Sequence, residues 1–504
     1  MDINQITLFD LPTIDNVDYS VECFSADSLC SETARKELEK KYLPITEITN
    51  KFNRQSVSYQ LNKNNSLHSW FKYKEGFSAN LVETLLNEMN VKKGGTILDP
   101  FLGSGTTSLV AQINGINSIG FDIMPMSSVA IYAKGNITKY NISELYETLL
   151  YLQSLHRPQN YINKINSINI TFGAFPNDTE FDISFFSEMI GLSKFSEEAK
   201  GLARLCLLNS LESVSYTAKD GQYLRWDERS KKVIEANQQR INKGKEPFTT
   251  ILNKGPLPTV QQALSERLSK AIYDIQYFQK NLSLINNDSK ITFKQNSALI
   301  SLPLLDDNSI DGVITSPPYC NRYDYTRIYA LELAYLGMSE KEIRKTRQDL
   351  LSCTVESKSK IDSLRDYYFD INKNKDFDKV LSIIDNNTPF NEVLNALSFR
   401  NDCGDINNKG VLKMVRGYFE ELSFIYYELY RICKKGATVA FVNDNVRYAG
   451  EVIPVDYIST ELASQIGFTP KKIYTLKQQK GNSSQQMKKF GRVPLRKSIT
   501  IWEK

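Results

Sequence analysis

The chain contains few of the residues that metal centres and acid–base sites most often use. Only two histidines, His68 and His156, occur among its 504 residues, and its seven cysteines are scattered without a close pair. This composition argues against a zinc site and against a histidine general base. An odd number of dispersed cysteines is also typical of reduced, structural thiols. We therefore predict no metal site and no disulfide framework.

Long apolar runs are missing as well. No run of about 18 apolar residues occurs, and the first four residues, Met1 to Asn4, have neither the charged nor the apolar region of a secretion signal. The sequence therefore predicts no membrane span and a cytoplasmic location. With 504 residues the chain exceeds one ordinary domain, so we expect two or three.

A glycine motif occurs early in the chain. Residues 96–107 (TILDPFLGSGTT) predict a buried strand, a glycine turn and the start of a helix. Gly103 and Gly105 would let the backbone approach a ligand closely, beside the N–H groups that begin the helix. The next apolar stretch ends in Asp122, where nucleotide-binding folds place a carboxylate for ribose hydroxyls. The pattern lacks the Lys-Ser/Thr pair of a phosphate loop and the third glycine of a dinucleotide site.

This motif indicates a nucleoside cofactor. The alternative is a glycine turn of any doubly wound sheet. That alternative explains the two glycines, but it does not explain the acidic and aromatic residues that surround them.

A second motif, Thr315-Ser316-Pro317-Pro318-Tyr319, directly follows the apolar run 310–314. Its prolines have no N–H and cannot extend a sheet, so nearby carbonyls are left as free acceptors. The Ser316 hydroxyl can accept a hydrogen bond, and the Tyr319 ring offers a surface on which a base can stack. The motif suits a planar exocyclic amine. The alternative is an ordinary turn that ends a strand, with a tyrosine in the core.

Together, Asp99 to Thr107 and Thr315 to Tyr319 resemble the cofactor and catalytic motifs of the DNA amino-methyltransferases. These enzymes use S-adenosylmethionine to methylate cytosine N4 or adenine N6, and the resemblance covers roughly residues 56–126 and 290–504. It implies a site-specific methyltransferase of duplex DNA, acting on a flipped base within a restriction–modification system and with a possible companion endonuclease. In this family a serine before the two prolines is similar to the cytosine-N4 branch, so cytosine is favoured. The alternatives are adenine-N6 methylation, RNA methylation and DNA binding without catalysis.

The resemblance also implies residue roles. Ser316 and the Pro317 carbonyl would accept hydrogen bonds from the target amine, and Tyr319 would stack on the base; these residues and Pro318 form the predicted catalytic set. Asp122 would bind ribose, and Asp99 would hold either the glycine loop or the amino-acid end of the cofactor. Phe77 stands near a position where the family usually has proline, and Asn296 stands where an acidic residue is common. The predicted cofactor-binding residues are Phe77, Asp99, Phe101, Gly103, Ser104, Gly105, Thr106, Asp122 and Asn296.

The charge is concentrated at the C-terminal end. The whole chain has a net charge of +4, but from Lys471 onward ten basic residues face one acidic residue. Such a segment would neutralise phosphates, and its GNSSQQM stretch at 481–487 is similar to a feature of related methylases. The alternative is a solvated surface. We predict DNA contacts from Lys480, Asn482, Ser483, Gln485, Lys488, Lys489 and Arg492.

Strands that alternate with helices predict an α/β fold, a Rossmann-like methyltransferase sheet. We expect it to be mainly parallel, with a closing antiparallel strand and a largely helical inserted domain. The predicted units are an accessory N-terminal arm (1–55), a discontinuous catalytic domain (56–126 and 290–504), a helical insert (127–289) and a second variable insert (339–410).

The helical insert is the first candidate for target recognition, because it is rich in Asn, Gln, Arg and Lys, which bind base edges in the major groove. The second variable insert, 339–410, competes for this role. A structural or dimerising function of the helical insert is the alternative. The sequence does not identify the DNA site or the oligomeric state.

Overall fold

The computed structural model describes residues 21, 23–165, 168–220, 223–248, 252–281, 289–476, 489–491 and 493–504. The strands are β1 (Thr46–Thr49), β2 (Thr96–Asp99), β3 (Asn117–Asp122), β4 (Thr217–Asp220), β5 (Tyr223–Trp226), β6 (Ile291–Gln295), β7 (Ile310–Thr315), β8 (Cys433–Asp444), β9 (Val446–Tyr448), β10 (Glu451–Ile453), β11 (Thr469–Leu476) and β12 (Lys497–Glu503).

The α-helices are α1 (Thr33–Tyr42), α2 (Ala79–Met89), α3 (Thr106–Ile113), α4 (Pro125–Gly135), α5 (Ile142–Ser154), α6 (Thr179–Leu192), α7 (Glu197–Ser210), α8 (Lys231–Asn242), α9 (Val260–Lys280), α10 (Ala298–Ser301), α11 (Tyr325–Ile328), α12 (Ala330–Tyr335), α13 (Glu340–Asp349), α14 (Ile361–Asp370), α15 (Asn374–Asp385), α16 (Thr388–Asp402), α17 (Gly410–Ile432) and α18 (Val455–Ile466). Short 3-10 helices occur at Leu43–Ile45, Tyr59–Asn64, His68–Trp70 and Leu302–Leu304.

Eight strands form the main sheet, in the order β1-β11-β12-β8-β7-β2-β3-β6. All neighbouring pairs are parallel except those of β12, which runs antiparallel to both β8 and β11. The predicted fold class, a mainly parallel sheet with a closing antiparallel strand, is therefore confirmed. From β2 the chain continues to β3 and β6 on one side, whereas β7 and β8 lie on the other side. A ligand site in such a sheet is expected at the carboxyl ends of the strands where the order reverses, here β2 and β7.

The sheet is buried between helices because its strands are apolar on both faces. Ile97 and Leu98 of β2 and Val313 and Ile314 of β7 are all fully buried. At the far side, Trp502 of β12 is inaccessible to solvent. Helices α14, α15 and α16 contribute buried residues to the same core as the sheet and α17. Most of the segment 339–410 is thus packed onto the catalytic sheet.

A second core lies in the helical insert. Helices α5, α6, α7 and α9 share it with α4 and with α11 to α13. Trp70 joins this core to the N-terminal half, because its indole N–H donates to Asp274 of α9 at 2.8 Å. The insert also contains the antiparallel hairpin β4–β5, which the sequence analysis did not predict.

Part of the N-terminal arm belongs to the main sheet. Strand β1 pairs in parallel with β11 at the sheet edge. Helix α1 is held by Arg35, whose buried guanidinium contacts Glu392 at 3.0 Å and Glu451 at 3.1 Å. Across the described ranges, no helix combines the length and apolar content required to cross a membrane.

Candidate active site

A cleft of about 740 Å³, counted with its solvent-open part, lies at the carboxyl ends of β2, β3 and β7. It brings together most of the predicted catalytic and cofactor-binding residues, although their positions in the sequence are far apart. Three residues of these two sets, Gly105, Pro317 and Tyr319, lie outside its lining. The predicted residues that line it are Phe77, Asp99, Phe101, Gly103, Ser104, Thr106, Asp122, Asn296, Ser316 and Pro318.

The charges of the cleft wall are of one sign. Four carboxyl side chains line it, those of Glu75, Asp99, Asp122 and Asp349, and no lysine or arginine occurs among its described lining residues. A phosphate-bearing nucleotide needs basic side chains or a cation in such a place. The wall therefore suits a nucleoside ligand that carries positive charge.

The glycine loop needs both of its predicted glycines. Gly103 and Gly105 have φ values of +55° and +87°, which other residues rarely adopt. A Cβ atom at Gly103 would lie 2.9 Å from the Tyr73 ring, and one at Gly105 would lie 2.9 Å from Cγ1 of Ile131. A side chain at Gly103 would have to displace Tyr73, and one at Gly105 would have to displace Ile131.

Asp99 joins the glycine loop to residues 315–319, the predicted catalytic turn. Its Oδ1 accepts hydrogen bonds from the Thr315 hydroxyl at 2.7 Å and the Phe101 N–H at 3.0 Å, and its Oδ2 accepts one from the Thr107 hydroxyl at 2.7 Å. Burial raises the pKa of this carboxyl to about 6, although the three donors oppose the shift. These contacts correspond to the first of its two predicted roles, that of holding the loop.

Asp122 contacts the same loop from β3. Its carboxylate accepts hydrogen bonds from the Gly103 N–H at 2.8 Å and the Met124 N–H at 2.7 Å. Burial raises the pKa of Asp122 to about 6. Each oxygen retains a further lone pair, and the side chain is part of the cleft wall. Asp122 can therefore support the loop and still accept hydrogen bonds from ligand hydroxyls.

A buried lysine anchors the loop from below, and the sequence analysis missed it. Lys134 of α4 is inaccessible to solvent, and its Nζ donates to the Ser104 carbonyl at 3.0 Å. It lies three residues after Ile131, so both side chains project from one side of α4 toward the loop. Desolvation lowers the pKa of Lys134 to about 7. Only its helical spacing from Ile131 could have indicated this position.

The wall opposite the loop is formed by residues 73–77, of which only Phe77 was predicted. The Tyr73 ring stacks on Tyr329, with centroids 5.2 Å apart and an angle of 12°. The Glu75 carboxylate accepts hydrogen bonds from the hydroxyls of Tyr323 and Tyr329. These contacts tie the wall to the segment that follows the catalytic turn. Residues 349–351, at the end of α13, complete the lining, and no sequence signal pointed to them.

At the catalytic turn, the Ser316 hydroxyl donates either to the Tyr319 hydroxyl, at 3.1 Å, or to the Val442 carbonyl, at 3.3 Å. Its lone pairs therefore remain available as acceptors. Lys497 lies 4.7 Å from the centroid of the Tyr319 ring, and its Nζ is 3.5 Å from Oδ2 of Asp444. Lys497 and Asp444 are cross-strand partners in β12 and β8. Desolvation lowers the pKa of Lys497, but Asp444 and Tyr319 raise it, and the net effect is a pKa above the usual value. Lys497, held by Asp444, thus contacts the tyrosine ring.

Most of the predicted DNA-contacting loop lies outside the described residues. Lys489 is described: it is exposed, and its Nζ lies 3.7 Å from Asp405. The assignment of this loop to DNA stays a prediction. The residues outside the described ranges are Lys480, Asn482, Ser483, Gln485, Lys488 and Arg492.

Comparison with known proteins identifies relatives over nearly the whole chain. The sequence model of the DNA methylase family matches residues 25–130, which include the glycine loop. The type II methyltransferase M.BsoBI of Geobacillus stearothermophilus is 54% identical over 487 residues, 97% of this chain and 95% of that protein. The type II methyltransferase M.AvaI of Nostoc is 37% identical over 491 residues, 95% of each chain. M.MjaII of Methanocaldococcus jannaschii is 27% identical over 334 residues, 53% of this chain and 62% of that protein.

Proposed function

We propose that this chain, which belongs to the DNA methylase family and to its type II methyltransferases, methylates the exocyclic N4 of cytosine in duplex DNA with S-adenosylmethionine. The observation that carries the proposal is the bridge made by Asp99, which binds the glycine loop and the catalytic turn through the same carboxylate. A nucleoside site and a set of amine acceptors are thereby held side by side. Ser316 and Pro318 of the turn also line the cleft itself.

The cleft suits S-adenosylmethionine in charge. This cofactor, when bound, supplies an electrophilic methyl group on a positively charged sulfur. The four carboxyl side chains of the wall favour that charge, and the absence of basic side chains among the described lining residues disfavours a nucleotide phosphate. We assign the ribose hydroxyls to Asp122, the adenine to Phe101 and Asn296, and the close backbone approach to Gly103 and Ser104.

The catalytic turn acts on a weak nucleophile. The lone pair of the cytosine amine is delocalised into the ring until acceptors on its two N–H bonds draw it toward a tetrahedral geometry. Ser316 is suited to this role because its own proton is directed to Tyr319 or Val442. The Pro317 carbonyl is the second acceptor, and Tyr319 stacks on the flipped base. Holding the amine about 3–3.5 Å from the methyl group makes the reaction effectively unimolecular, so positioning supplies much of the catalysis.

Cytosine is proposed over adenine because serine, not an acidic residue or asparagine, precedes the two prolines. Adenine-N6 methylation remains the second candidate. As the similar proteins are named type II methyltransferases, we also propose a role in restriction–modification, with an endonuclease of the same specificity as companion. Target recognition is assigned to the helical insert, 127–289, and non-specific DNA contacts to the basic C-terminal segment.

The proposal is tested by expressing the protein in a host without DNA methylation and sequencing the native genomic DNA at single-base resolution. The expected result is modified cytosine within one recurring sequence, and its loss when Ser316→Ala is expressed at the same level. Modified adenine in a recurring sequence would establish the adenine-N6 alternative. An unmodified genome in the presence of folded protein would refute DNA methylation.

A further inference from the structure

Helix α8 (Lys231–Asn242) is unusual within the helical insert because none of its residues is buried. The neighbouring helix α7 buries most of its length. In α8 even large apolar side chains are exposed, with Ile234 at 55% and Ile241 at 52% of their full accessibility. The exposed residues form one face, which consists of Lys231, Ile234, Glu235, Gln238, Gln239, Ile241 and Asn242.

The opposite face of α8 is occupied by contacts that fix the helix in place. Lys232 lies 4.4 Å from the centroid of the Trp226 ring. The Asn237 side chain accepts a hydrogen bond from the Phe248 N–H at 2.9 Å, and Arg240 donates to the Glu246 carbonyl at 2.7 Å. The exposed face therefore belongs to a helix held by its other side. Among the described residues, the only side-chain hydrogen bond from this face joins Gln238 to Asn242 within the helix, at 2.9 Å.

The competing segment for target recognition, 339–410, is already engaged elsewhere. Helices α14, α15 and α16 bury Tyr368, Phe377 and Val393 in the core beneath the sheet. The end of α13, at 349–351, lines the cofactor cleft. Its main helices thus support the catalytic domain, whereas the exposed side chains of α8 form no hydrogen bond with another element among the described residues.

The position of α8 is limited by its short connection to the active site. Strand β5 packs against α11, which carries the cleft-lining Tyr325. Lys231 is only five residues beyond Trp226, the last residue of β5, so it lies within about 17 Å of it. The helix itself is about 18 Å long. Because one turn of duplex measures about 34 Å, α8 can reach base pairs within one turn of the target base.

The charge and chemistry of this segment match duplex DNA. Residues 229–245 contain six basic residues and one acidic residue, Glu235. Lysines neutralise phosphates, Asn and Gln form paired hydrogen bonds to adenine, and apolar side chains contact the thymine methyl group. An α-helix also fits the major groove, which is about 12 Å wide.

From these observations we propose that α8 is the recognition helix, which enters the major groove beside the target base and distinguishes bases through Gln238, Gln239 and Asn242. The proposal rests on the proposed function, since it needs duplex DNA as the substrate. Lys231, Lys243 and Lys245 contact phosphates on either side of the groove.

The test compares two sets of variants on a library of duplexes with randomised flanking sequence, methylated with labelled cofactor. Gln238→Ala, Gln239→Ala and Asn242→Ala are each expected to relax the preference at one position, by roughly 5- to 150-fold in the ratio of methylation rates. Lys231→Gln and Lys243→Gln should leave the preference intact and weaken binding to all sequences equally. Each should also reduce the slope of log affinity against log salt by about 1.

Asn374→Ala and Lys375→Gln, at exposed positions of α15, serve as matched controls that should match wild type in both assays. Unchanged base preference in all three alanine variants, with melting temperatures equal to those of the controls, would overturn the proposal. If the alanine variants keep the wild-type base preference but sediment differently from the wild type, the exposed face of α8 is instead a protein interface. If the wild type itself transfers no methyl group to DNA, the proposed function fails, and this outcome is separate from the other two.

Discussion

Single residues in this site mostly orient the backbone. Asp99, Asp122 and Lys134 each hold a different part of the loop from Phe101 to Thr107 by hydrogen bonds to N–H, hydroxyl or carbonyl groups. The loop can therefore bring its backbone close to a ligand without collapsing. The steric and electrostatic parts of this arrangement can be tested separately.

Gly105→Val tests the steric part. The valine would need a φ near +87° and its Cβ would lie 2.9 Å from Ile131, so the loop must move. Cofactor binding should fall below detection in calorimetry, whereas the purified protein should keep its helical circular dichroism. Gly244→Val, in the helical insert, is the control. It also has a positive φ, but a Cβ there meets no atom within 4 Å. Wild-type cofactor affinity in Gly105→Val would contradict the assigned role of the loop.

Lys134→Met tests the electrostatic part. Without the donor to the Ser104 carbonyl, the KM for the cofactor should rise about tenfold with little change in kcat, the loss expected for one charged hydrogen bond. Lys254→Met is the matched control, because Lys254 also donates to backbone carbonyls, at 2.7 Å and 2.8 Å, of residues that do not line the cleft. An equal effect of both substitutions on KM would show that Lys134 acts only on general stability.

Lys134 also predicts a pH dependence of stability. Its pKa falls from 10.5 to about 7 on folding, so between these values the unfolded chain binds more protons than the folded one. The unfolding free energy should therefore rise from pH 7 to pH 9, and this rise should be smaller in Lys134→Met. Denaturant unfolding at the two pH values measures the difference.

Among the secondary-structure elements, β12 closes the sheet. Trp502 is fully buried and its ring stacks on Phe441 of β8 at 5.7 Å. Trp502→Ala should lower the unfolding free energy by about 3–5 kcal/mol through the cavity that it leaves. Tyr273→Ala, at a position of α9 that is 71% exposed, should change it by less than about 0.5 kcal/mol. Similar losses in the two variants would be inconsistent with a core role for β12.

The sequence predicted those elements whose signal is local. Strand β2 with its glycine turn, strand β7 with its proline turn and the closing antiparallel strand all follow from apolar periodicity and turn residues. The sequence did not predict elements that depend on contacts between residues far apart in the chain. Strand β1 has few apolar residues and is a strand because β11 offers it a free edge. Tyr73, Glu75 and Asp349 reach the cleft only through the fold.

At the scale of the whole molecule, acidic and basic side chains are concentrated in different regions. The cofactor cleft is acidic, whereas the stretch 229–245 and the C-terminal segment are basic. The net charge of +4 conceals this separation. Under the proposed function, a cationic cofactor and an anionic duplex would bind to different surfaces.

The measurement that tests this account most directly is the identity of the methylated nucleoside. Duplex DNA is incubated with the protein and labelled S-adenosylmethionine, digested to nucleosides and analysed by mass spectrometry. The account predicts label in N4-methylcytosine, and none with Gly105→Val or Ser316→Ala. Label in N6-methyladenine or in 5-methylcytosine, or wild-type labelling by Ser316→Ala, would contradict it.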